Sequence, residues 1–570
     1  MRPAILPLLI SQLFSPSFAI RPDSIPAGGT FTRGTLATQV NADGTIGWCP
    51  HNHILNSNDL STTGWSSSGA GGASYSGGKI IDTTTTGTHG RNGVYTMLNG
   101  QYSFQVKLAA AEYSKAILDF SDQISGDASA TFDLSAGTFS AVTAAGSWTN
   151  ASATISNAGG GYWLCTLTAT KGAGTVVAPI IYLVNNAGTS SFAGTGSSGI
   201  YAKEAQLNTG PAQPYYATSG GAYYGLRVAD YGDDSTRAGI KLEMQSTNTL
   251  TQSQPYSTVT ISVSTSDIVN IGIVALPLCT CTSNQGRIET NSIPNGQTIA
   301  ATAFLKRGTS RFAGIGVYTA AGVNLFALVD FDSGNTITGG ASAGYAHTAS
   351  IKLFANGVYR LTWIVTNSSG STSATGVKFG LPSSVSSNID SGTVSDSVYM
   401  GGMQLEVSPV ATSLIPAFGA SVTRGADIFT YPATGISGWN LLQGSWFIDY
   451  ISAGAKTTAQ KLVYGSNVCE FMTERDYMSN IGIGSWNGAS ENNSSGPTTP
   501  IGQRRKACAS YGPFGNRITQ SGRIPSTIVG ATYQLSSVGS VTFSGMCGTL
   551  YQLWYSPRSI SADAMVKITS

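Results

Sequence analysis

The chain has 570 residues, with 30 Lys and Arg against 28 Asp and Glu, a net charge of +2 and four His. Charged residues make up 10% where about 25% is usual, glycine is enriched at 70 residues, and 41% of the chain is hydrophobic, including 25 Tyr and 9 Trp. This balance excludes a global field that steers the chain to nucleic acid, argues against a helical, basic or metal-rich enzyme, and supplies enough apolar material to bury cores; it points to an all-β protein with a neutral, hydroxyl-rich surface.

Residues 1–45 open with an apolar run from Ala4 to Phe14, followed by the small residues Ser17 and Ala19. The pattern has the features of a secretory signal, yet the run is too short to span a bilayer, which needs about 20 residues. Pro3, Pro7 and Pro16 suit an extended segment better than a helix. The reading adopted is a retained apolar arm that docks into a neighbouring subunit and anchors the protein.

An internal repeat organises residues 46–430. Asn52–Asn58 aligns with Asn248–Gln254, and Gly100–Gln101 with Gly296–Gln297, both at an offset of 196. Ala205–Gln206–Leu207 matches Met403–Gln404–Leu405 at 198, and Arg227, Ala229 and Asp230 match Arg424, Ala426 and Asp427 at 197. The landmarks run in order, so the chain holds two copies of one domain, 46–235 and 240–430. Each copy contains short period-two segments, such as Gln101–Leu108 and Tyr359–Val365, separated by Gly, Asn, Ser and Thr clusters. That texture predicts tandem jelly-roll β-sandwiches.

Residues 431–570 depart from the repeat. Gly444–Tyr450 alternates as a strand, and the strand ending at Tyr555 stops before Pro557, where Ser561 can cap a short helix. This segment predicts a further sandwich with a helical tail.

Seven cysteines match no zinc spacing. Cys165 reads as a buried hydrophobe; Cys469, Cys508 and Cys547 admit a bridge in some pairing, within or between chains, or buried free thiols. No catalytic residue, metal or cofactor is predicted. Asp119 with Asp122, Asp330 with Asp332, and Glu474 with Asp476 are the acid pairs, but none has the surroundings a glycosidase dyad needs. His51 and His53 lack a third metal ligand and read as a polar strand start; His347 reads as a loop residue. Arg504–Arg505–Lys506 reads as a solvated loop. Trp163, Trp363, Trp446 and Trp554 fall in alternating strands and are assigned to cores. Sugar binding asks for an exposed aromatic face beside amides, and the candidates are Tyr223 and Tyr224, with Tyr215 and Tyr216, in the first copy and Trp486, Asn487, Asn492 and Tyr511 in the last domain.

Met403–Gln404–Leu405–Glu406, Ala411–Thr412–Ser413–Leu414–Ile415–Pro416 and Val422–Thr423–Arg424–Gly425–Ala426–Asp427 together resemble the ending of carbohydrate-binding-module-like domains in tailed-phage tail, fibre and collar proteins. Asn52–Asn58 with Trp65 resembles the opening of the same module, and Leu553–Trp554–Tyr555 with Ile560–Met565 resembles the close of concanavalin-A-like, laminin-G-like domains. The resemblance implies two jelly rolls, a concanavalin-A-like domain at 431–570, and a non-enzymatic structural subunit on the surface of a virion: a fibre, collar or decoration appendage. Its implied partners are copies of itself (a trimer first), neighbouring virion proteins through the arm, and host surface glycans, with no nucleic acid and no membrane span. The alternatives are a spacer without ligand and a polysaccharide hydrolase. Within the signature, Gln404 and Glu406 alternate with apolar neighbours as in a half-buried strand, and Arg424 and Asp427, three apart, are placed to pair and close the domain.

Overall fold

The computed structural model describes residues 17–570 except 22–24, 125, 232–237, 259, 284–286, 319–323, 372–375, 386–388, 441, 453–458, 466–468, 478–479, 487–490, 494–498, 501–502, 513–515, 521–525, 529–539 and 544–547. The chain is all-β, and its contacts divide into Pro50–Gly225 and a second unit made of Met1–Cys49 with Leu226–Ser570.

Pro50–Gly225 is a jelly-roll sandwich. One sheet runs Trp148–Gly159, Tyr162–Lys171, Gly100–Ala110, Gly199–Thr209, Lys79–Asp82, Ala73–Ser76. The other runs Thr138–Ala144, Asp127–Asp133, Lys115–Ser121, Val176–Val184, Gly90–Asn92, Ser66–Ser68. Alternation decides which side is buried: Phe104, Val106 and Leu108 from one sheet meet Leu118, Phe120 and Phe132 from the other. Phe120 stacks on Trp148 with ring centroids 5.0 Å apart and 9° between planes.

The second copy repeats this strand order. Its first sheet is Tyr345–Leu353, Tyr359–Asn367, Thr298–Arg307, Ser397–Glu406, Val274–Cys281, Ile261–Ile271; its second is Asn335–Gly339, Asn324–Asp330, Phe312–Tyr318, Gly376–Gly380, Arg287–Ser292. The duplication extends to side-chain clamps. Asn52 accepts from the amides of Ile54 and Leu207 and donates to the carbonyls of Ala205 and Tyr216. Asn248 accepts from Leu250 and Leu405 and donates to Met403 and Ile415. Gln206 accepts from the Tyr216 amide at 2.7 Å and Gln404 from that of Ile415 at 2.6 Å. The repeated Asn and Gln thus serve the backbone, as buried polar groups must.

The third sandwich draws strands from across the chain. One sheet orders Arg227–Asp230, Gly239–Leu242, Gly548–Ser556, Gly444–Ser452, Arg504–Tyr511, Asn516–Gln520 and Ser526–Ile528, and Phe18–Ile20 pairs with Gly548–Ser556. In the other, Thr30–Thr32 pairs with Ile428–Pro432, which leads through Ser540–Phe543 to Ala459–Gly465 and Cys469–Tyr477. Segments read from sequence as an arm (Phe18–Ile20, Thr30–Thr32), as the end of the first copy (Arg227–Asp230) and as the start of the second (Gly239–Leu242) therefore complete this sandwich within one chain. Phe18 and Ile20 are buried in its core, Phe18 edge-on to Tyr431 at 4.9 Å; residues 1–16 lie outside the described residues. The strand stops at Ser556 before Pro557, and Ser561 caps the helix Ala562–Thr569, its hydroxyl accepting from the Ala564 amide. Among the described residues no helix is long and apolar enough to cross a membrane.

Burial makes Phe18 a structural residue. Phe18→Ala is expected to destabilise the protein by about 3–5 kcal/mol, the usual loss for a buried Phe, read as a lower urea midpoint for the transition that reports the third sandwich; an unchanged midpoint would show that the strand is dispensable.

A hydroxyl-floored groove on the second jelly roll

The outer face of the second jelly roll's first sheet carries a cavity of about 760 Å³, within the range of small-ligand sites. In Tyr359–Asn367, Leu361, Trp363 and Val365 enter the core, so Thr362, Ile364 and Thr366 turn outward. Ser350 sits opposite Thr362 and Thr348 opposite Ile364, and Thr348 and Ser350 on this edge strand are exposed. Thr366 meets Thr298 across the strands, oxygen to oxygen at 2.8 Å. The floor is a ladder of hydroxyls, with Phe304 and Phe354 edge-to-face at 5.3 Å at one end.

Two segments wall it. One is Pro409–Leu414, and the other is the N-terminal stretch Thr38–Val40, joined to it where the Thr38 hydroxyl donates to the Leu414 carbonyl at 2.7 Å. Lys352 and Arg360, opposite each other in register, reach the cavity while donating to the carbonyls of Tyr231 at 3.3 Å and Thr412 at 2.5 Å. The lining carboxylates are engaged: Asp230 accepts from the Val40 amide at 3.1 Å, and Glu243 accepts from the Ser413 amide and hydroxyl at 2.7 and 2.6 Å.

Behind Glu243 lies a buried ionic hub. Asp427 takes Arg33 at 2.9 Å, Arg227 at short range and Arg424 at 3.7 Å. Glu243 takes Arg227 at 2.8 Å and Arg424 at 3.5 Å. Every one of these side chains is at most 3% exposed. Burial opposes the charge on Glu243, but Arg227, Arg424 and Lys241 override it and hold the carboxyl well below its ordinary value. Burial likewise opposes the Arg227 charge, and Asp427 and Glu243 outweigh it. Arg424 and Asp427 do pair, as the sequence predicted, inside a larger cluster.

Several other sites fall differently from expectation. Tyr511 is in the core, its hydroxyl donating to the Asn440 carbonyl at 2.8 Å, because its strand turns that position inward; it offers no face to a sugar. Tyr224 is half-buried, edge-on to His53 with its hydroxyl 3.3 Å from Nδ1. Tyr223 remains 38% exposed and stacks on Tyr216 at 5.0 Å and 16°, while the Tyr215 hydroxyl is 2.6 Å from that of Ser57. Trp486 and Asn492 lie on adjacent strands, Asn480–Trp486 and Glu491–Asn493, but their side chains, like Asn487, fall outside the described residues. Cys508 is a buried free thiol and forms no bridge; the Cys469 side chain and Cys547 lie outside the described residues. Arg504–Lys506 begins a strand instead of a loop: Arg504 clasps Asp449 at 2.7 and 2.6 Å and Arg505 is buried. His347 is also in a strand, accepting at Nδ1 from Trp363 Nε1 at 3.1 Å. Trp163 is half-buried, and Trp363, Trp446 and Trp554 are core residues.

Asp330, Asp332 and Asp122 are structural. Arg311 grips Asp330 with two bonds of 2.9 Å and also reaches Asp332 at 3.0 Å; its hydrogen bond holds the Asp330 carboxyl well below the usual range. Asp122 organises a turn through the amides of Ile124 and Gly126 and the Ser147 hydroxyl. The side chains of Glu474 and Asp476 lie outside the described residues. His53 is held well below its ordinary pKa by burial and by His51. Among the described residues, no three His, Cys, Asp or Glu side chains gather as for a metal.

No protein-family model matches the chain, and no curated protein matches it in sequence. Solved structures similar to it include the CBM40 module of the Ruminococcus gnavus IT-sialidase, both bound to α2,3-sialyllactose and without it, each at 11% identity over 23% of this chain and 84% of that one, TM-score 0.20. The LG1-3 region of the laminin α2 chain matches at 9% identity over 84% of this chain and 96% of that one, TM-score 0.14. Scores this low carry no argument about what the chain binds.

The hub yields a stability prediction. Asp427→Asn strands buried guanidinium charge and is expected to cost about 3–5 kcal/mol, whereas Arg307→Met, at the Arg307–Asp332 pair where both side chains are exposed, costs about 1 kcal/mol or less. Because the Glu243 pKa is depressed on folding, its contribution is complete above the unfolded value of about 4.3 and is lost as pH falls below it. The urea midpoint of the unit that holds the hub should therefore be level from pH 6 to 8 and drop under about pH 4. Equal costs for the two variants would refute the hub.

Proposed function

We propose that this protein is a non-catalytic glycan-binding subunit, and that it serves as a fibre, collar or decoration appendage on the surface of a tailed-phage virion. The observation that carries the binding reading is the groove over Thr298, Thr348, Ser350, Thr362 and Thr366. A sugar presents hydroxyls that both donate and accept, and a floor of rotatable hydroxyls can answer either role. Phe304 and Phe354 are buried and close one end of the groove as packing under Lys352 and Arg360.

The non-catalytic reading rests on the same geometry. Glycoside hydrolysis needs one carboxyl to give a proton and another to attack or to activate water. The lining carboxylates, Asp230 and Glu243, are tied to amides and arginines, and Asp330 and Asp332 are held by Arg311. The virion reading is supported by the resemblance of residues 402–427 to phage appendage modules. Many copies on one particle would turn weak contacts into avidity.

A glycan array with the full chain, followed by calorimetry on the best ligand, tests this reading. The double variant Thr348→Leu/Ser350→Leu removes two exposed floor hydroxyls without entering the core. It is expected to weaken binding at least about ten-fold, at about 1 kcal/mol per hydrogen bond, while Tyr223→Ala leaves it unchanged. New reducing ends from the bound polysaccharide would overturn the non-catalytic reading, and silence across the array would overturn the binding reading. Electron microscopy of a source particle that lacks the chain would refute the appendage.

A further inference from the structure

We propose that Asp119 and Asp127, on the outer face of the first jelly roll, form a calcium site. Lys115–Ser121 and Asp127–Asp133 pair antiparallel, with Asp119 opposite Ser129 and Ser121 opposite Asp127. Residues directly opposite, and residues two apart, share a face. The four oxygen-bearing side chains are therefore the corners of a square, with the carboxylates on one diagonal, within mutual reach. Ala116, Leu118 and Phe120, with Ala128, Ala130 and Phe132, point the other way into the core.

Asp119 is the anomaly. It is 7% exposed, and its Oδ1 is buried without a hydrogen-bond partner. Asp122, three residues on, is equally buried and fully engaged by amides and a hydroxyl. Burial first, then the charge of Asp127, push the Asp119 carboxyl up to about 7. Tyr182, on the neighbouring strand, is raised chiefly by burial and also by the charges of both carboxylates. Lys115, on the same strand face, pairs with Asp133 at 3.6 Å.

A buried carboxyl beside a second one is costly unless a cation lies between them. The donors are all oxygen: two carboxylates and the hydroxyls of Ser121 and Ser129, the latter also 3.0 Å from the Thr143 hydroxyl. That set selects a hard cation over a transition metal, and calcium accepts irregular shells completed by water. Two carboxylates imply modest affinity, on the order of 10⁻⁴–10⁻³ M, as in extracellular calcium modules. The site is independent of the groove.

Calorimetric titration of the full chain with CaCl₂ at pH 8 tests the proposal, alongside melting curves with and without calcium. Expected is one site in that affinity range and a melting temperature that rises with calcium. Asp119→Asn and Asp127→Asn should each weaken binding at least about ten-fold and abolish the rise, and Asp122→Asn should leave the affinity unchanged. Asp127 is exposed, so its variant folds whatever the fate of the Asp119 substitution. No calcium heat in the parent chain, or unchanged affinity in Asp127→Asn, would overturn the site.

Discussion

The architecture of the larger unit depends on Asp427. Its carboxylate gathers Arg33 from the N-terminal stretch, Arg227 from the strand Arg227–Asp230, and Arg424 from the end of the strand Val422–Arg424, and it accepts from the Glu243 amide at 2.9 Å. Three stretches far apart in sequence are thereby held at one point. Such a cluster is a poor source of net stability, since desolvation offsets most of the attraction. Its effect is on specificity: each arrangement that leaves one member buried without the others is heavily penalised. The N-terminal stretch then cannot leave its place without uncovering a carboxylate, and the same stretch supplies one wall of the groove. The ionic hub thus positions the walls of the site, and Glu243 is its one member that lines the cavity.

The sequence made the repeat and its alternation legible because both are local. Asn52 with Asn248 and Gln206 with Gln404 recur at nearly constant offset, and the structure shows them clamping the same backbone atoms. The pattern in Tyr359–Val365 likewise told which residues enter the core. Ser561 and Pro557 were readable because capping and strand termination are decided by single residues. Composition told less about aromatics. Tyr511 and Tyr223 are the same residue type in similar surroundings, yet one closes a core and the other stays at the surface. Only the strand register separates them, and register is set by distant partners.

The groove was missed for a related reason. Its floor was visible in outline: Thr348 and Ser350, Thr362 and Thr366 occupy the positions that alternate with core residues. One of its walls, Thr38–Val40, comes from outside the repeat, and Ile46, Asp230, Lys241 and Glu243 line the cavity from the ends of the two copies. No period in the second copy announces that these segments return to it. The cysteines show the same limit from the other side, since spacing alone left Cys508 open to a bridge and only its buried strand position settles it as a free thiol.

The two copies also show where such a fold is free to vary. Clamps and core positions must persist, because each serves a backbone atom or fills the space between sheets. Outward positions have no such duty. On the first copy the sheet of Gly100–Ala110 carries a Lys107–Glu204 ion pair at 2.6 Å, and Lys203 lies over Tyr162 at 4.0 Å. The second copy has hydroxyls and the two opposed cations Lys352 and Arg360 on its corresponding sheet. Duplication followed by change on the outer faces alone yields two surfaces of different chemistry on one topology. A contact protein gains from that freedom, since each new face leaves the core that supports it intact.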